Sequence, residues 1–128
     1  MTRDRLRCGA GGEDLATAFL RARGYTILAR NYRCPAGELD VVALDDRTIV
    51  FVEVRTRRGR AHGSALESVT AAKQRQVARV AAVYLARLHL HAHPVRFDVV
   101  AVEVRGWTVD LAHVVDAFRL ESGDCRML

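Results

Sequence analysis

Between residues 38 and 56 the chain carries two apolar, β-branched runs, Glu38 to Leu44 and Thr48 to Thr56, separated only by Asp45, Asp46 and Arg47. So short a connection suits a hairpin, whereas a parallel crossover needs roughly a dozen residues or more. The two runs are therefore antiparallel neighbours. Both are nearly continuous in apolar residues, the pattern of strands covered on both faces, and each is interrupted by one acid, Asp40 or Glu53. If the turn is Asp46 and Arg47, residue 45 pairs with 48 and Asp40 stands beside Glu53. A three-residue turn without a bulge would pair 40 with 52 and separate the acids.

The flanking sequence supplies the other layers. A first helix is expected from about Gly12 to Arg23, where Leu15, Ala16, Phe19 and Leu20 recur at helical spacing and Gly24 can cap the end. Tyr25 to Arg33 reads as a strand. A long second helix follows the hairpin, with Thr70 as its N-cap and Val77, Val80, Ala81, Tyr84, Leu85 and Leu88 on its apolar face. Val95 to Val104 and Trp107 to Val115 read as two further strands around the Gly106 turn. The order of helix, three strands, helix and two strands gives an α/β fold, a mixed central sheet of about five strands flanked by helices. With 128 residues and no linker or repeat, one domain is expected, its core about residues 9–115 and its termini flexible.

Charge is unevenly placed. The net charge is +5, and Arg55, Arg57, Arg58 and Arg60 supply four of those charges within six residues, leaving +1 for the rest of the chain. Such a patch is either a solvated loop or a contact with phosphates. No run approaches the about 20 apolar residues that span a bilayer, and the N-terminus is charged where a signal peptide would be apolar. A cytoplasmic protein without a membrane partner is expected. Cys8, Cys34 and Cys125 fit neither a disulfide framework nor a zinc motif.

The acids carry the chemistry. Adjacent buried carboxylates must be paired, protonated or bound to metal. Hard oxygen ligands suit Mg²⁺ or Mn²⁺, and the backbone carbonyl of Val54 can add a ligand. Strand alternation places Arg55 on the same face as Glu53, so a structural ion pair from Arg55 to Glu53 or Asp40 accounts for the spacing equally well. Lesser candidates are Glu38, as a strand-end charge, and the series His89, His91 and His93, which could chelate a metal if extended. Arg96 and Asp98 suit a structural ion pair, and Tyr25, Tyr32 and Trp107 read as core or rim aromatics.

The series GEDLATAFLRARGY, NYRCPAGELDVVA, VFVEVRTRRG, Lys73 in the second helix and VRFDVVAV resembles the YraN family of bacterial proteins over roughly residues 9–104. That family is similar in turn to archaeal Holliday-junction resolvases and to the restriction-endonuclease-like fold with its PD-(D/E)xK motif. The resemblance implies that Asp40 is the motif aspartate, Glu53 the second acid and Arg55 the occupant of the usual lysine position. Glu13 matches an extra acid of the metal site. The implied activity is Mg²⁺- or Mn²⁺-dependent hydrolysis of phosphodiester bonds in DNA, branched DNA included, by a protein that can act as a homodimer. Arg57, Arg58, Arg60 and Lys73 are the implied nucleic-acid contacts, although a solvated helix position is the plainer reading of Lys73.

Arg55 departs from the pattern. Arginine stays protonated, so it can stabilise charge on phosphate but cannot act as a base. The chain has 19 arginines and one lysine, so this substitution fits a bias of the whole composition. Two other readings therefore stand beside a nuclease: a nucleic-acid-binding module that has lost cleavage, and a protein-interaction domain whose buried acids are only paired.

Overall fold

A computed structural model describes residues 10–59 and 66–119. Arg60, Cys8, Cys125 and the termini expected to be flexible lie outside the described residues. The elements are α1 (Ala10–Ala22), β1 (Thr26–Cys34), β2 (Gly37–Asp45), β3 (Thr48–Arg58), α2 (Ala71–Arg87), β4 (Val95–Arg105) and β5 (Thr108–Val114). The sheet has the order β1-β2-β3-β4-β5, with β3 and β4 parallel and every other neighbouring pair antiparallel. This is the expected mixed α/β sheet, in which α2 makes the one crossover that parallel pairing needs.

The β2–β3 hairpin turns through Asp46 and Arg47, with Asp45 opposite Thr48 and Val41 opposite Val52. Asp46 takes a left-handed conformation, φ 55°, which Asp tolerates better than most residues. The same register, carried one step past Val41 and Val52, brings Asp40 to Glu53.

Strand alternation divides the core into two layers. Val41, Ala43, Val50, Val52, Val100 and Val102 pack with Ala16 and Leu20 of α1. Val42, Ile49, Phe51 and Val99 pack with Val77, Val80, Ala81 and Tyr84 of α2. Leu39 joins the α2 layer although regular alternation would place it with Val41, so the pleat slips next to Asp40.

The helix ends follow from local chemistry. Tyr25 N–H bonds Leu20 O and Gly24 N–H bonds Arg21 O, a closure that needs the positive φ of 94° at Gly24. Thr70 caps α2 by accepting the Lys73 backbone N–H at 3.2 Å. At the other end of α2, His89 sits at φ 55° and the chain turns, so the three histidines do not form the extended series that chelation required. His93 Nδ1 instead lies 2.9 Å from Arg47 O.

Candidate functional site

β2 and β3 deliver the two acids, and their ladder ends where the acids begin. Beyond Val41–Val52, the Val54 backbone N–H donates to Asp40 Oδ2 at 2.8 Å, while the Asp40 backbone N–H bonds the Glu53 carboxylate. Each acid thus closes a backbone bond that the diverging strands leave open. Glu53 is only 2% exposed, two residues on from Phe51 on the sheet face that packs against α2.

Two cations reach this pair. Lys73 Nζ of α2 lies 3.6 Å from Glu53 Oε1, and the Arg55 guanidinium lies 4.0 Å from the same oxygen. Burial, then the charge of Asp40, pushes the Glu53 carboxyl up to about 7, against the pull of Lys73, Arg55 and the Asp40 N–H. Burial also raises Asp40, opposed by the Val54 N–H and by Lys73 and Arg55. Desolvation and mutual repulsion therefore outweigh two cations and two backbone donors.

Glu13 of α1 is also raised, by burial and by the nearby Asp40 charge, while a hydrogen bond from the Asn31 side chain lowers it. It stands within electrostatic reach of Asp40. Among the described residues, however, no group of three or more His, Cys, Asp or Glu side chains is close enough to hold a metal by itself. The helix comes near because Gly12 lies against Thr56, where a Cβ would collide with the threonine hydroxyl.

Arg57 and Arg58 continue β3 away from the acids and pair in register with Glu103 and Val104. Arg58 is exposed. Lys73 differs from its plainer reading, because the first turn of α2 carries it against Glu53 rather than into open solvent. Gln76, which the sequence reading did not select, accepts from Lys73 Nζ at 3.4 Å; its position three residues on along the helix was the available signal. Glu38 pairs with Arg33 at 2.8 Å, as a strand-end charge.

A second polar cluster lies elsewhere. Arg96 donates to both oxygens of Asp98 at 2.9 and 3.0 Å, and also reaches Asp45 and Tyr25. His113 Nε2 lies 2.7 Å from the same Asp98 carboxylate. This is the expected Arg96–Asp98 ion pair, extended into a network.

The donor set at Asp40 and Glu53 fits a hard divalent cation. Mg²⁺ is commonly held by one or two carboxylates, with water and substrate phosphate completing its shell, so a third acid is unnecessary. The Val54 peptide adjoins both acids. A buried and a half-buried carboxylate, both with raised proton affinity, would gain more from a dication than exposed ones.

A sequence profile described as uncharacterised protein family UPF0102 matches residues 12–102. A UPF0102 protein of Syntrophotalea carbinolica is 50% identical over 121 residues, covering 94% of this chain and 98% of the relative. Another, of Symbiobacterium thermophilum, is 57% identical over 97 residues, covering 76% and 82%. Glu13, Asp40, Glu53, Arg55 and Lys73 all fall inside those 12–102 limits. The chain belongs to the uncharacterised protein family UPF0102, the YraN family.

Proposed function

We propose that the chain is a cytoplasmic Mg²⁺- or Mn²⁺-dependent endonuclease of the PD-(D/E)xK type that hydrolyses phosphodiester bonds in DNA, branched DNA included. The observation that carries this reading is the pairing of half-buried Asp40 with buried Glu53, whose repulsion and desolvation a dication would relieve, with Lys73 and Arg55 beside them. Asp40, Glu53 and the Val54 carbonyl would hold the cation, with Glu13 beside them. When bound, the cation supplies a polarised water and neutralises charge developing on the phosphate.

The remaining steps belong to side chains. Arg55 presents a planar fork matched to two phosphate oxygens and keeps its charge throughout. Its Nε is buried and bonds no protein group, leaving a donor for an anion. Arg57 and Arg58 extend positive charge along β3 to follow a phosphate backbone, and Arg60 adds a further charge two residues on in the sequence. A pair of copies would suit a two-fold branched substrate.

Cleavage of branched, duplex and single-stranded DNA, assayed with Mg²⁺ and Mn²⁺ for wild type and Asp40→Asn, tests the reading. Metal-dependent cleavage lost in the variant supports it; cleavage equal in both assigns the activity elsewhere.

Arg55 in the lysine position favours a second reading, a nucleic-acid-binding module without turnover. Salt-sensitive DNA binding with no cleavage would select it, and cleavage gained in Arg55→Lys would trace the loss to that residue.

A further inference from the structure

Two cations face the carboxylate pair, but they are mounted differently. Arg55 belongs to β3 itself and its guanidinium stands 4.0 Å from Glu53 Oε1. Lys73 comes from the other layer: its backbone N–H is fixed by the Thr70 cap, and its flexible stem carries a compact ammonium to 3.6 Å from the same oxygen. A second acceptor, Gln76 Oε1, lies 3.4 Å from Nζ. Gln76 is itself fixed, because its amide packs on the bare backbone of Gly37, where a Cβ would come within 2.7 Å of Nε2. The ammonium therefore has one partner that a metal would claim and one that a metal would not.

We infer that Lys73 is the resident counter-cation of the Asp40–Glu53 pair, competing with the divalent cation for Glu53 and passing to a substrate phosphate when displaced. This rests on the metal-site reading above. The physical ground is that Glu53 Oε1 cannot give its full charge to an ammonium and to a dication at once, and that like charges so close repel strongly in a site of low effective dielectric. A displaced Lys73 stays beside Gln76 at the first turn of α2, where backbone N–H groups also favour an anion. The arrangement ties metal entry to the release of a phosphate-binding charge. It also gives Lys73 a task that Arg55 is less suited to, since the latter's broader, strand-mounted guanidinium has no alternative acceptor for its Nε.

The test is Mn²⁺ binding by titration calorimetry to wild type, Lys73→Met, Lys73→Arg and Arg55→Met, with DNA cleavage by the same proteins. Lys73→Met is expected to bind Mn²⁺ at least about tenfold tighter than wild type, equivalent to about 1.4 kcal/mol. Lys73→Arg should stay near wild type because it keeps the charge, and Arg55→Met should gain less. Cleavage should move the other way, falling at least about tenfold in Lys73→Met despite tighter metal binding. Wild-type or weaker Mn²⁺ affinity in Lys73→Met overturns the competition; undiminished cleavage in that variant overturns the transfer to phosphate. If wild type cleaves no DNA, the nuclease reading fails while the calorimetry still decides the role of Lys73. Should Lys73→Met not fold, Lys73→Gln is the substitute, and the rise in melting temperature caused by Mn²⁺ must exceed that of wild type.

Discussion

The Asp40 carboxylate and the Val54 backbone N–H are joined by a 2.8 Å hydrogen bond at the point where the β2–β3 ladder stops. The acid is thus a structural cap as well as a candidate ligand, and substitutions separate the two roles. Asp40→Asn keeps an oxygen acceptor and should fold with nearly wild-type stability. Asp40→Leu strands the N–H and should cost about 1–3 kcal/mol in urea denaturation. Equal stability of the two variants would contradict the capping role.

Glu53 gives the fold a pH dependence of definite sign. Its carboxyl is raised from 4.5 to about 7, so the folded chain favours the protonated form. That contribution is fully present below about pH 4.5 and is lost as pH rises through about 7. The span corresponds to about 3 kcal/mol. Glu53→Gln should flatten this part of the stability profile and exceed wild type by up to about 3 kcal/mol at pH 8. Denaturation at pH 5 and pH 8 measures it, and equal slopes for the two proteins would refute the assignment.

The Arg96–Asp98–His113 cluster makes a stability prediction with no functional component. Burial alone would raise Asp98, but hydrogen bonds from His113, Arg96 and the Asp116 N–H hold it below the usual carboxylate range. Arg96→Met leaves a fully buried carboxylate short of its cation and should cost about 3 kcal/mol. A thermal melt shows this directly, and an unchanged melting temperature would mean the cluster contributes little.

Arg57 and Arg58 should act through phosphates alone. Replacing either with alanine is expected to weaken DNA binding to all sequences alike and to reduce the slope of log affinity against log salt by about 1. Titrations at several salt concentrations check this. A change confined to one DNA sequence would instead assign the residue to base contacts.

Much of this arrangement was legible in the chain. Only three residues separate the two acidic strands, so the turn left few registers, and the observed one is that which brings Asp40 to Glu53. The acids nevertheless meet through side-chain-to-backbone bonds past the last paired residues, a detail that strand alternation does not encode. Lys73 was harder to place because helical periodicity orients a helix against the core without saying which strand its first turn will overlie. Trp107, expected in the core or rim, is 88% exposed because the tight Gly106 turn projects it beyond the sheet. Phe118 lies past the expected end of the core at residue 115, yet it is buried and stacks on Phe97 with ring centroids 5.1 Å apart. No periodic pattern marks a single aromatic anchor after a final strand.

Anomalous diffraction at the manganese edge from crystals soaked in Mn²⁺ decides whether Asp40 and Glu53 hold a divalent cation. A peak is expected within coordination distance of both carboxylates, with Lys73 Nζ moved off Glu53. A peak elsewhere, or no peak with the Lys73–Glu53 contact intact at saturating Mn²⁺, would contradict it.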